Sequence, residues 1–249
     1  MSFWDERSTM TRESLPTTLF CFPCAGASAA TYTRWRKLVP SRIRIEPVEL
    51  PGRGARIAEE PIDDFDRLVA QLTEELSPRL PSNYAFFGHS MGALLAYGCS
   101  SVLTERRVGA PSVLMLACCS APSRRDNDRF SRLQSDDALI QELKDLNGTP
   151  DDVFDHLELL NMILRTLRAD HRVCASFQSG AREPLRSKIH VFGGRDDDIE
   201  EDDLAAWASE TFGVMTLEMF EGGHFFFREC EELFLRRLVA KLESRNSFR

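Results

Sequence analysis

Phe86-Phe87-Gly88-His89-Ser90-Met91-Gly92 sets a serine between two glycines, G-x-S-x-G, with an apolar run before it and Ala93-Leu94-Leu95-Ala96-Tyr97 after it. Residues 83–87 read as a buried strand and residues 93–97 as a helix. In that setting the serine occupies a tight strand-to-helix turn and projects its hydroxyl above a sheet as a nucleophile. The glycines give the turn room and let helix and strand approach closely. The free N–H groups at the start of the helix face the place where a negative oxygen would form.

Outward from this turn, apolar runs alternate with helical stripes. Strands are expected over residues 18–23, 43–50, 112–118, 188–192 and 216–220. Helical spacing links Tyr32, Trp35, Leu38 and Val39, then Phe65, Leu68, Val69, Leu72 and Leu76, then Leu204 and Trp207, and finally Phe234, Leu235, Leu238, Val239 and Leu242. Strands apolar on both faces and alternating with helices predict an α/β fold, a mostly parallel central sheet flanked by helices. Residues 17–249 are read as one domain behind a polar tail, 1–16.

The alternation breaks over residues 123–180, where no strand is expected. Ser135-Asp136-Asp137 predicts a helix start with Leu139, Leu143 and Leu146 inward, stopped by Asn147-Gly148. Thr149-Pro150-Asp151-Asp152 predicts the next helix, with Leu157, Leu160, Leu164 and Leu167 on its stripe. An all-helical insertion of this kind is expected to form a lid over the sheet's C-terminal edge.

Composition narrows the function. The chain has 249 residues, is 43% hydrophobic and carries a net charge of -8, which argues against a nucleic-acid partner. No apolar run is long enough to cross a bilayer and residues 1–16 have no signal core, so a cytoplasmic protein without a membrane partner is expected. The seven cysteines are then expected to be free thiols; Cys21-Phe22-Pro23-Cys24 spells C-x-x-C, but Cys21 lies in an apolar strand and no second pair follows, so no metal or bound cofactor is expected.

A serine hydroxyl needs a base within reach. Of five histidines, His89 adjoins the nucleophile and points elsewhere, His156 and His171 fall in the insertion, and His190 lies mid-strand. His224, in Glu221-Gly222-Gly223-His224 after the last strand, fits the order Ser, acid, His of an α/β-hydrolase. The acid is expected just after the strand at residues 188–192, in Arg195-Asp196-Asp197-Asp198. Asp196 is the choice, with Asp197 and Asp198 as rivals; its carboxylate would hold the imidazole in one tautomer. The oxyanion donors are expected to be the backbone N–H of Met91 and that of Ala25, in the small-residue loop Phe22-Pro23-Cys24-Ala25-Gly26-Ala27.

With these segments in place, the chain resembles the type II thioesterases, stand-alone α/β-hydrolases that accompany polyketide and nonribosomal peptide synthases. The resemblance rests on Phe22-Pro23-Cys24-Ala25-Gly26-Ala27, Trp35, Leu50-Pro51-Gly52-Arg53-Gly54 with Arg56, Gly88-His89-Ser90-Met91-Gly92, Gly193-Gly194-Arg195-Asp196 and Gly222-Gly223-His224. It spans nearly the whole chain from about residue 17 and departs at Ala27, where the family commonly has glycine. It implies an editing enzyme that hydrolyses stalled acyl groups from the phosphopantetheine arm of an acyl or peptidyl carrier protein, acting as a monomer. Residues 123–132, with four arginines against two aspartates, are a candidate docking patch for an acidic carrier or a plain solvated loop. Arg53 and Arg56 receive no role. The competing readings are a carboxylesterase or lipase, a medium-chain thioesterase of a fatty acid synthase, and a non-catalytic carrier-binding module.

Overall fold

The computed structural model describes residues 16–133, 135–146, 148–180 and 182–244. Most of the predicted tail and Asn147 of the predicted helix stop lie outside them. The strands are β1 (Thr17–Phe22), β2 (Ile43–Pro47), β3 (Tyr84–His89), β4 (Val113–Ala117), β5 (Lys188–Gly194) and β6 (Met215–Phe220). They form one sheet in the order β2-β1-β3-β4-β5-β6, and every pairing is parallel. Interleaved with them are α1 (Trp35–Leu38), α2 (Phe65–Leu76), α3 (Met91–Glu105), α4 (Asn127–Arg132), α5 (Asp136–Asp145), α6 (Leu157–Ser176), α7 (Glu201–Ala205), α8 (Phe226–Glu229) and α9 (Glu231–Glu243).

Side chains alternate along a strand, so a strand covered on both sides must be apolar at every position. β3 shows this: Phe86 packs into a core with α2 and α3, while Phe87 faces Trp35 of α1 and Phe234 of α9 on the opposite side. Both phenylalanines are fully buried, each contributing roughly 1.5–3 kcal/mol. α2 begins where the Asp64 carboxylate accepts from the Arg67 N–H at 2.9 Å, and it buries Phe65, Leu68, Val69, Leu72 and Leu76 as its spacing predicts.

The segment between β4 and β5 contains α4, α5 and α6, without a strand among its described residues. Leu139, Leu160, Leu164 and Leu167 make a small core of their own. Two details differ from the spacing argument. Residues 151–155 form a separate 3-10 turn, with extended backbone at His156 (φ -106°, ψ 90°) before α6 begins. That break rotates the first turn of α6, leaving Leu157 70% exposed rather than inward. The short α4 and α8 had no apolar stripe long enough to announce them.

Because all strands run the same way, the loops after β1, β3, β5 and β6 emerge at one edge of the sheet. Those four loops carry Ala25, Ser90, the aspartate run and His224.

Candidate active site

Ser90 sits at the junction of β3 and α3 with φ 55° and ψ -119°. A non-glycine residue held there stores of order 1–3 kcal/mol, which the surroundings must offset. Its N–H donates to the Ala117 carbonyl of β4 at 2.8 Å, fixing the turn to the sheet. The flanking glycines are there for contact. A Cβ on Gly88 would lie 2.2 Å from the Gly92 carbonyl oxygen, and one on Gly92 would lie 2.2 Å from that of Phe22. The start of α3 is thereby pressed against the end of β1, bringing Met91 next to the loop that holds Ala25.

Ser90, Met91, Ala25, Asp197 and His224 all line one cavity of about 460 Å³, in the size range of small-molecule sites. Much of its remaining wall comes from the β4–β5 segment, including Phe130, Leu143, Val153, Ile163 and Leu167. The same segment also brings Arg124, Arg125, Arg129, Glu142 and His171 to the cavity, so its wall is part apolar and part charged, with room for an apolar chain beside the polar edge that holds Ser90 and His224.

The structure corrects the choice of acid. His224 Nδ1 lies 2.9 Å from Oδ2 and 3.1 Å from Oδ1 of Asp197, not Asp196. The Asp196 N–H donates to the Gly222 carbonyl at 3.0 Å, which locks the turn after β5 with the Asp196 side chain in solvent. The next residue then faces inward, and the Asp197 side chain is only 4% exposed. Burial raises the Asp197 carboxyl, but hydrogen bonds from His224, the Cys118 thiol and the Asp198 N–H outweigh it and hold it below the usual carboxylate range. An ionised carboxylate only accepts, so Nδ1 of His224 carries a proton, and the tautomer this selects for the neutral imidazole has its lone pair on Nε2.

His89, the variable position of the motif, bonds the backbone of His224. Its Nε2 lies 2.8 Å from the His224 carbonyl oxygen, so the proton is on Nε2, and the two rings are 4.9 Å apart. Burial pushes the His89 imidazole well below its ordinary pKa and keeps it neutral. His190 is packed in β5, with Nδ1 2.6 Å from Thr216 Oγ1, and burial lowers it to about 4.

Among the described residues, His89, Cys118 and His224 bring potential metal-ligand atoms within 4.8 Å of one another. Each already serves the pair just described: His89 bonds the His224 backbone, and Cys118 bonds Asp197. Burial raises the Cys118 thiol well above its ordinary value, which opposes the thiolate a metal would need. All seven cysteines are free thiols, and Cys21 and Cys24 are buried, as the packed reading of C-x-x-C requires.

The arginine-rich stretch is less open than its composition suggests. Arg125 turns inward over the Phe130 and Phe177 rings at 5.4 and 5.8 Å, and Arg132 pairs with Asp126 at 3.1 Å. Arg56 pairs with Glu59 and Glu75. No helix among the described residues is long and apolar enough to cross a membrane.

A family model described as a thioesterase domain matches residues 17–244. The chain belongs to the thioesterase family. Among its relatives is the gramicidin S biosynthesis protein GrsT of Aneurinibacillus migulanus, 35% identical over 214 residues that cover 86% of this chain and 84% of that one. The type II thioesterase BorB from the borrelidin biosynthetic cluster superposes with a TM-score of 0.83 at 34% identity, over 91% of this chain and 93% of that one. The thioesterase RedJ from the prodiginine pathway of Streptomyces coelicolor superposes at 0.82 and 31% identity, over 95% and 91% of the two chains. The protein is thus a thioester hydrolase of the α/β-hydrolase fold, with the fold and activity the sequence resemblance implied.

Proposed function

We propose that this thioesterase removes stalled or aberrant acyl groups from the phosphopantetheine arm of acyl or peptidyl carrier proteins in polyketide or nonribosomal peptide synthesis, in the cytoplasm, through an acyl-serine intermediate. Ser90 is the nucleophile, His224 the base, Asp197 the acid that orients it, and the N–H groups of Ala25 and Met91 the oxyanion donors. The observation that carries this reading is the His224–Asp197 hydrogen bond at the rim of the cavity onto which Ser90 opens. The helical segment between β4 and β5 acts as the lid that walls the acyl chain.

In the first half-reaction Ser90 Oγ adds to the thioester carbonyl carbon while its proton passes to His224 Nε2. The carbonyl oxygen becomes an oxyanion between the two N–H groups, each donor being worth about 3 kcal/mol in the transition state. Collapse breaks the C–S bond, and the imidazolium protonates the departing thiolate. In the second half, water gives a proton to His224 and adds to the acyl-serine. Collapse then releases the carboxylic acid and returns the proton to Ser90. Asp197 stays ionised throughout and stabilises the imidazolium.

The test is mass spectrometry of acetyl-, propionyl- and longer acyl-carrier proteins, and of free esters, before and after incubation with the chain and with Ser90→Ala. Loss of the acyl mass from carriers with wild type and not with Ser90→Ala is expected. Turnover retained by Ser90→Ala would overturn the acyl-serine mechanism. Preference for free esters over carriers would replace the editing role with that of a carboxylesterase.

A further inference from the structure

The Pro51-Gly52-Arg53-Gly54 turn follows β2, and its arginine is one of the most buried charges among the described residues. The Arg53 guanidinium meets the Asp170 carboxylate of α6 as a fork, Nη2 to Oδ1 and Nη1 to Oδ2, both at 2.6 Å. The two side chains are 6% and 0% exposed. Asp170 Oδ2 also accepts from the Gly26 N–H at 2.7 Å, and Arg53 Nη1 also donates to the Ala27 carbonyl at 3.2 Å. The pair therefore grips the backbone on both sides of the Gly26–Ala27 peptide, immediately after Ala25. Neither side chain lines the cavity.

A buried ion pair recovers little more than the cost of taking its charges out of water, and apolar residues of similar volume often serve stability as well. Here the arrangement also leaves Arg53 Nε without a hydrogen-bond partner. Apolar residues could not supply the acceptor for Gly26 and the donor for Ala27. The Ala25 N–H must point at the developing oxyanion and not at the ground-state carbonyl, so small rotations of this loop act on the transition state.

We propose that the buried Arg53–Asp170 pair is a positioning device that holds the Ala25 oxyanion donor in place through the Gly26–Ala27 backbone. This rests on the acyl-serine reading above. It also ties α6, a wall of the cavity, to the catalytic loop, and it gives Arg53 the role that the sequence alone left open.

The experiment compares two ligands built on an acyl-phosphopantetheine: a trifluoromethyl ketone, to which Ser90 adds as a tetrahedral adduct with a negative oxygen, and the amide, which binds without addition. The variants of the full chain are Asp170→Asn, Arg53→Lys and the doubly apolar Arg53→Met with Asp170→Leu, which leaves no unpaired charge if the first fails to fold. Ketone affinity and kcat/KM for the thioester should fall together by about 10- to 100-fold, less than the roughly 10²–10³ expected for losing a donor outright. Amide affinity should stay within about threefold of wild type.

A variant that loses thermal stability but keeps wild-type ketone affinity would overturn the proposal, because the pair would then be structural only. Equal losses for ketone and amide would overturn it too, since ground-state binding would be what the pair supports. Failure of the acyl-serine reading looks different: wild type itself would form no ketone adduct.

Discussion

Nδ1 of His224 stands 2.9 Å from Oδ2 of Asp197, across 27 residues of chain and between the loops that follow β6 and β5. Cys118, at the end of β4, bonds the same carboxylate. His89, at the end of β3, holds the His224 carbonyl from below. His224 is thus held among the ends of four neighbouring strands, and the side chain of Ser90's own neighbour is part of its support.

Asp197→Asn should lower kcat by about 10⁴-fold, because an amide facing Nδ1 favours the wrong imidazole tautomer. Asp196→Asn should change it by less than about threefold, since that side chain is exposed and its N–H, which the substitution retains, makes the turn. Steady-state rates on one acyl-carrier substrate compare the two directly. A large loss confined to Asp196→Asn would reverse the assignment.

Gly92→Ala should fail structurally, not chemically. Its new Cβ would lie 2.2 Å from backbone oxygen that has no freedom to withdraw. A loss of at least about 1–3 kcal/mol in urea unfolding is expected. Gly180→Ala, where a Cβ meets nothing within 4 Å, is the control and should unfold as wild type does.

His190 should impose a pH dependence on stability. Its pKa is lowered from 6.5 to about 4 in the folded chain, so between those values the unfolded chain binds a proton that the folded one does not. Stability is therefore full above pH 6.5 and is lost as pH falls towards 4. Melting temperatures over that interval should decline less steeply in His190→Gln, after allowance for the residual slope due to buried His89. An unchanged slope would mean that the imidazole titrates freely.

Leu164→Ala should cost about 2–5 kcal/mol if the β4–β5 helices unfold with the sheet, because Leu164 is buried with Leu139, Leu160 and Leu167. Leu157→Ala should cost less than about 0.5 kcal/mol, its side chain being 70% exposed. Chemical denaturation followed by circular dichroism gives both values. A first transition lost separately in Leu164→Ala would show that those helices unfold on their own.

The strands and the serine turn were legible because their signals are local. A strand apolar at every position reads as buried on two faces, and the serine turn needs its glycines within four residues of one another. That His224 meets the aspartate run was legible from its place after the last strand. The acid was not fully so: three consecutive aspartates look alike until a backbone bond from Asp196 to Gly222 sets the phase of the turn. Arg53 stood out as part of a motif, yet its partner Asp170 lies 117 residues away inside a helix chosen for its leucines. Leu157 misled because a stripe assumes an unbroken helix, and the chain interrupts it at His156.

Among the described residues, the segment between β4 and β5 is fastened to the active edge at Asp170 and at Gly148. Asp170 holds the loop after β1, and the carbonyl of Gly148, a residue packed so closely on Phe225 that a Cβ would lie 2.2 Å from its ring, accepts from the Arg228 guanidinium. Leu143, Val153 and Ile163 belong to neither fastening, although they too face the cavity. Evolution is therefore free to reshape the cavity for longer, shorter or branched cargo at those three positions while the proposed chemistry stays anchored.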